Sequence, residues 1–148
     1  RTARIKVKLT KEAKLMADKL QFVIPGKPQY ITIVRLAVGS AANTAGFDVE
    51  EIEDIKTAVG EACKNISCHG SEGFAEQYQV DCEIEDGKMQ IYVTDISGSH
   101  KLEKLQKPCL DCPNEGDLGL YVIKSLMTSI EIIDGPNCKK AIKMTKAK

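Results

Sequence analysis

The stretch AVGEACKNISCHG, residues 58–70, lies near the middle of the chain and holds an acid, Glu61, and an amide, Asn65, four positions apart. On an α-helix this spacing leaves the two side chains roughly 40° apart, so they share one face. They could be the ordinary polar side of an amphipathic helix, or they could be half of a nucleotide site. The segments before and after this stretch decide between the two interpretations.

The residues that precede this stretch predict a long central helix. Asp48, with Glu51 three positions later, has the pattern of a capping box, and apolar residues recur behind it at helical spacing, at positions 52, 55, 59, 62 and 66. The expected helix runs from Val49 to about Cys68. Asn is unfavourable in the middle of a helix, so Asn65 needs a reason other than helix formation.

After the helix the hydrophobic period changes from about 3.6 to two. YQVDCEI (residues 78–84) and MQIYVTD (residues 89–95) alternate apolar and polar side chains and are joined by an Asp-Gly turn, which is typical of a β-hairpin. SIEIID (residues 129–134) and KKAIKMT (residues 139–145) predict a second hairpin.

The remaining segments complete the predicted organisation. LQFVIP (residues 20–25) reads as a strand, a helix follows from Pro28, and a long loop after residue 96 leads to a glycine-rich helix start in GDLGLYVIKSLMT, residues 116–128. Helices on one face of a mixed, mainly antiparallel sheet make an α/β (α+β) two-layer sandwich. We expect an appendage over residues 1–20 and one domain over residues 21–148.

Composition limits the classes of partner. Lys plus Arg and Asp plus Glu number 21 each among 148 residues, so no net charge attracts the chain to nucleic acid or to an anionic membrane. No apolar run is long enough for a membrane span, and no opening resembles a signal peptide. We therefore expect a cytoplasmic protein with reduced thiols that binds neither nucleic acid nor membrane directly.

Two further segments could complete a nucleotide site. Asp95 ends a strand and Gly98 follows it, so a carboxylate could accept hydrogen bonds from a purine amino group while the backbone approaches closely. Gly116 and Gly119 open a helix, where free N–H groups and the helix dipole favour phosphate. Each feature alone is common in proteins. Their order along the chain is the stronger indication.

Five motifs in this order resemble those of one protein family. They are IPGKPQYITIVRLAV (24–38), EIEDIKTAVGEACKNISCHG (51–70), IYVTDISG (91–98), GDLGLYVIKSLMTSIEI (116–132) and KMTK (143–146). Together they resemble the bacterial anti-sigma factor serine kinases of the general-stress and sporulation type, which are Bergerat-fold ATPases like the histidine kinases and gyrase. The resemblance runs from about Phe22 to Thr145 and implies a Bergerat ATP-binding fold.

The resemblance also implies roles for individual residues. Glu61 would be the general base that polarises a substrate serine, and Asn65 would hold Mg²⁺ between the phosphates of ATP. Asp95 would select adenine, with Thr145 supporting it from a neighbouring strand. The glycines expected to contact ATP are Gly98, Gly116 and Gly119.

Further residues are implied to meet phosphate and protein partners. The lid contains no Arg, so Lys101, Lys104 and Lys107 would approach the terminal phosphate. Arg35 would lie on the partner-binding face. The implied partners are a sigma factor, which the protein would hold inactive, and an anti-anti-sigma factor, a small antagonist that it would phosphorylate. A homodimer is expected.

Departures from the family's pattern keep other functions open. Gly98 is displaced by one place, and Asp117 stands where a glycine is usual and where a carboxylate would repel phosphate. These changes favour a degenerate nucleotide-binding or non-catalytic module that acts by sequestering a partner. A zinc-binding regulator is a third possibility, because Cys109 and Cys112 have the spacing of a zinc knuckle, but it needs two more ligands.

Overall fold

The computed structural model describes residues 17–66, 76–96, 118–134 and 140–148, which form five strands and three helices. In chain order the elements are β1 (Asp18–Pro25), α1 (Pro28–Thr44), α2 (Val49–Asn65), β2 (Gln77–Glu85), β3 (Lys88–Asp95), α3 (Leu118–Leu126), β4 (Ser129–Asp134) and β5 (Lys140–Ala147). The two predicted hairpins and the helices beginning near Pro28 and Asp48 are confirmed.

The strands form one sheet in the order β1-β2-β3-β5-β4. Every neighbouring pair among the described strands is antiparallel, in agreement with the mainly antiparallel sheet that the sequence predicted. β2 turns into β3 through Asp86 and Gly87. Gly87 has a φ of 72°, a left-handed conformation that glycine adopts without steric cost and that the Asp-Gly pattern predicted.

Alternation along the strands gives the sheet one apolar face and one polar face. The apolar face carries the buried side chains of Tyr78, Val80, Cys82, Ile84, Met89, Ile91, Val93, Ile142 and Met144, and the helices pack on it. Half-exposed polar side chains such as Gln79, Asp81 and Gln90 occupy the other face. The predicted two-layer sandwich is thus confirmed. None of the three described helices is long and apolar enough to cross a membrane.

The capping box predicted at the start of α2 is present. The Glu51 N–H donates to Asp48 Oδ1 at 2.8 Å, and the Asp48 N–H donates to Glu51 Oε2 at 2.9 Å. Both hydrogen bonds satisfy N–H groups that have no partner inside the helix. The helix ends at Asn65, with Ile66 as its C-cap, which is earlier than the predicted end near Cys68.

The N-terminal boundary differs from the prediction as well. β1 begins at Asp18 and pairs with β2 along its whole length, so the expected boundary after residue 20 falls inside a strand. Residues 1–16, which make up most of the expected appendage, lie outside the described residues.

Two cysteines of the described segments, Cys63 and Cys82, are buried and free. Burial raises the pKa of each thiol to about 12, so both remain protonated near neutral pH. They pack as small apolar side chains in the core between helices and sheet, in agreement with the expectation of reduced thiols.

Candidate functional site

The C-terminal end of α2 carries the two polar residues Glu61 and Asn65. Asn65 is the last residue of the helix, and its side-chain Nδ2 donates to the carbonyl oxygen of Glu61 at 2.6 Å. The two residues therefore share one face, as their spacing predicted. Because Asn65 ends the helix, its residue type needs no special reason there, and the argument from an unfavourable mid-helix Asn was wrong.

Gly119, the second residue of α3, lies directly against the Asn65 side chain. A β-carbon at position 119 would overlap the Asn65 amide, so only glycine allows the two helices to approach this closely without displacing the amide. The structure therefore brings together two predicted site residues that are more than 50 positions apart in the chain.

Asp95 lies at the same end of the molecule, on the face of the sheet that the helices cover. It is the last residue of β3, is 1% exposed, and lies opposite Tyr78 in the ladder. The Tyr78 hydroxyl donates to the Cys63 carbonyl oxygen in the last turns of α2 at 2.5 Å. Tyr78 thus connects the end of β3 to the end of α2.

Sequence reasoning missed Tyr78. Its place on the buried face of β2 was readable from the alternating pattern, but its hydrogen-bond acceptor was not, because that acceptor is a backbone carbonyl 15 residues earlier. Carbonyls in the last turn of a helix have no partner inside the helix, and the hydroxyl satisfies one of them.

Arg35 and Glu61 line a groove of about 180 Å³ between α1 and α2, together with Thr32, Gly60 and Lys64. Arg35 Nε donates to the carbonyl oxygen of Lys56 at 3.1 Å. The Glu61 side chain is 30% exposed, and its Oε1 lies 4.0 Å from Lys64 Nζ. The groove therefore places a solvent-accessible carboxylate near two cationic side chains.

Gly60 is a second residue that sequence reasoning missed. A β-carbon there would lie 3.3 Å from Arg35 Cδ and 3.4 Å from Nε, so the absence of a side chain lets Arg35 lie across α2. A glycine inside a helical pattern costs stability relative to alanine, and that signal could have identified the residue.

The structure places Thr145 away from Asp95. Thr145 lies opposite Gln90, whereas Ala141 lies opposite Thr94, the residue before Asp95. Five positions of β3 separate Gln90 from Asp95, about 17 Å along a strand. Thr145 also belongs to the polar face of the sheet, because it alternates with the buried Met144. The prediction that Thr145 supports Asp95 was therefore wrong.

Several predicted site residues lie outside the described residues. They are Gly98, Lys101, Lys104, Lys107 and Gly116, together with Asp117, Cys109 and Cys112. Within the segments that the structure describes, no group of three or more His, Cys, Asp or Glu side chains could hold a metal ion.

Comparisons with known proteins agree with this fold. The family model of the histidine kinase-like ATPase domain matches residues 24–146. Serine-protein kinase RsbW of Bacillus pumilus (strain SAFR-032) is 34% identical over 126 residues, which cover 78% of each chain. RsbW of Bacillus thuringiensis (strain Al Hakam) is 33% identical over 125 residues, with the same coverage of 78%.

One solved structure, the SiaB-SiaC complex from Pseudomonas aeruginosa, contains a chain with the same fold. The TM-score is 0.62, the sequence identity is 14%, and the match covers 98% of this chain and 99% of that chain. Such low identity is informative about the fold alone. The family assignment rests on the domain match and the RsbW relatives: the chain belongs to the histidine kinase-like ATPase family and, within it, to the serine-protein kinases similar to RsbW.

Proposed function

We propose that this protein is an anti-sigma factor that holds a sigma factor inactive and uses ATP with Mg²⁺ to phosphorylate a serine of its anti-anti-sigma factor. The observation that carries the proposal is the direct contact of Asn65 with Gly119, at the end of the molecule where Asp95 is buried. Two motifs that are distant in sequence are in contact there, and the Tyr78–Cys63 hydrogen bond brings the end of β3 to the same end of α2. Membership of the serine-protein kinase family supplies the reaction class.

The residues at this end of the molecule fit ATP and Mg²⁺. Asn65 Nδ2 is bound to the Glu61 carbonyl, while Oδ1 accepts no hydrogen bond from any residue that the structure describes, so a hard oxygen ligand is available for Mg²⁺. Gly119 leaves the space of a β-carbon to the Asn65 amide, so Asn65 lies directly against the start of α3, where free N–H groups favour phosphate. Asp95 offers a buried acceptor for the adenine amino group. Bound Mg²⁺ would offset the negative charge of the phosphates during transfer.

Glu61 is the proposed general base. It lies one helical turn before Asn65, about 6 Å along the helix axis, and its carboxylate is accessible to a protein substrate. A substrate serine would give its hydroxyl proton to this carboxylate while its oxygen bonds to the transferred phosphorus, and ADP would leave. The Asn65 amide donates to the backbone carbonyl of Glu61 and not to its carboxylate, which leaves the carboxylate available for this role.

The outer face of α1 is the proposed partner surface. Ile33 and Leu36, three positions apart on this helix, have large apolar side chains that are 57% and 58% exposed, and Arg35 reaches the Glu61 groove from the side of α1 that faces α2. Apolar side chains that are exposed next to one another, unlike single ones, are typical of protein interaction sites. We also propose a homodimer, supported by the exposed Leu20 and Val23 on the edge strand β1. Light scattering of the purified protein tests the dimer.

Adenine recognition by Asp95 is tested by Asp95→Asn. The amide is the same size but presents a donor toward the adenine amino group, so ATP affinity should fall by about 1–3 kcal/mol, the usual effect of an unmatched buried polar contact. Calorimetry with ATP, and with GTP as a control ligand, measures the loss. Unchanged ATP affinity in a correctly folded variant would remove Asp95 from the site.

The complete function is tested by a transfer assay with the proteins that co-purify with this chain. In the presence of labelled ATP and Mg²⁺, the label should move to a serine of a small partner, and a second partner should be a sigma factor. A partner that binds but acquires no label would instead support the alternative, a degenerate module that acts by sequestration only. Zinc in the purified protein, measured by elemental analysis, would support the third possibility.

A further inference from the structure

We propose that Lys146 and Asp54 are positioning residues for the nucleotide site. They lie at the opposite end of the molecule and act on the site by holding α3 in place. Lys146 lies on the last strand, β5, and its Nζ donates to the Leu126 carbonyl oxygen at 2.5 Å and to Asp54 Oδ2 at 3.3 Å. One ammonium group therefore contacts the ends of two helices, the last residue of α3 and the first turns of α2. The inference rests on the proposed ATP site at Asn65 and Gly119.

The groups in this contact are suited to hold the C-terminal end of α3 in place. Leu126 is the last residue of the helix, so its carbonyl oxygen accepts no hydrogen bond from within the helix. The helix dipole also favours a cation at this end. The Lys146 side chain is only 14% exposed and points to the face of the sheet that the helices cover, opposite Met89. Asp54 is 30% exposed and supplies the countercharge.

The geometry connects this contact to the site. α2 and α3 run antiparallel, because Asp54 and Leu126 meet at one end while Asn65 and Gly119 meet at the other. Asp54 lies about 16 Å along α2 from Asn65, so Lys146 cannot touch a nucleotide there. It can act on the site only by fixing α3 relative to α2. That position is critical because the Asn65–Gly119 contact leaves no room for even one additional carbon atom.

A purely stabilising role is the weaker explanation of the pair. Moving an ammonium and a carboxylate out of water costs roughly as much as their attraction returns, so a mostly buried pair adds little net stability. A methionine at position 146 would fill the same space without that cost. A methionine could not hydrogen-bond to the Leu126 carbonyl or pair with Asp54, so it could not hold the end of α3 in place between β5 and α2. We assign this role to Lys146.

The test compares Lys146→Met, Lys146→Arg and Asp54→Asn with the control Lys143→Met in the full chain. Lys143 lies on the same strand but on the polar face, where its Nζ is 5.7 Å from the Tyr92 ring. Lys146→Met should weaken Mg²⁺-ATP binding by between about 2-fold and 30-fold, the usual range for coupling through packed elements. Transfer at saturating ATP should stay near wild type, because Glu61 is untouched. Lys146→Arg should restore most of the affinity, and the control should match wild type.

Hydrogen exchange gives a second readout that does not depend on nucleotide. The backbone amides of α3 should exchange faster in Lys146→Met without ATP, while those of β2 should be unchanged. A lower Tm with wild-type ATP affinity would show a merely structural pair and overturn the inference while leaving the proposed function intact. Failure of the wild-type chain to bind ATP would overturn both. Faster α3 exchange together with reduced affinity and arginine rescue supports the positioning role.

Discussion

Glu61→Gln should keep ATP bound and lower phosphate transfer by roughly 10²–10⁴-fold, the usual contribution of a general base. The glutamine keeps the size of the side chain and leaves the backbone carbonyl that holds Asn65 unchanged. It removes only the carboxylate that is proposed to accept the serine proton. The measurement is paired: ATP affinity by calorimetry, and single-turnover transfer of labelled phosphate to the purified partner protein.

A matched control for this prediction lies on the same helix. Glu53→Gln removes an exposed carboxylate that pairs with Lys56 at 2.9 Å and does not line the groove, so transfer should stay at the wild-type rate. Wild-type transfer by Glu61→Gln itself would eliminate Glu61 as the base. Loss of ATP binding together with transfer would instead indicate that the carboxylate belongs to the nucleotide site.

The second large effect concerns the contact of Asn65 with Gly119. Substitutions at these two positions should change the free energy of unfolding non-additively. Gly119→Ala introduces a β-carbon into the space of the Asn65 amide, which must then leave the Glu61 carbonyl, so the free energy of unfolding should fall by about 1–3 kcal/mol. Asn65→Ala removes the amide that the new β-carbon would overlap. Gly119→Ala should then be neutral or stabilise by up to about 1 kcal/mol, since alanine is the better helix former. Urea unfolding of the four proteins measures the coupling.

The same variants separate metal binding from packing. Asn65→Ala should weaken ATP binding in the presence of Mg²⁺ and have little effect when the metal is chelated, because the lost group is the proposed metal ligand. Gly119→Ala should also weaken binding in the presence of Mg²⁺, since the new β-carbon pushes the Asn65 amide out of its place. Equal Mg²⁺ dependence in wild type and Asn65→Ala would exclude the metal role. Additive changes in stability would contradict the close contact.

Features set by neighbouring residues were predictable from the sequence. The capping box of Asp48 and Glu51 and the Asp86–Gly87 turn each depend on a few adjacent positions whose chemistry allows few alternatives. The shared face of Glu61 and Asn65 follows from helical spacing alone. The resemblance to anti-sigma factor kinases, which was carried by motifs spread along the chain, is confirmed by the RsbW relatives.

Features set by the relative placement of elements were not predictable. Thr145 was assigned to the wrong end and the wrong face of the sheet, because the register of β5 against β3 depends on strand bounds that the sequence left uncertain. The Lys146–Asp54 pair joins residues 92 positions apart and has no signature in either segment. The roles of the glycines and lysines between residues 97 and 117 remain predictions.

The pairing of β1 also affects how the chain folds during its synthesis. Among the strands that the structure describes, β1 is hydrogen-bonded only to β2, and Gln21 Nε2 donates to Asp81 Oδ1 at 2.8 Å across 60 residues of sequence. A ribosome adds about 5–20 residues per second, so several seconds pass between the synthesis of β1 and that of its partner β2. During that interval the apolar segment of residues 22–24 is not yet paired with β2. Unpaired apolar segments of this kind aggregate or bind chaperones. Although β1 is synthesised before β2, it is expected to join the sheet only after β2 has been made.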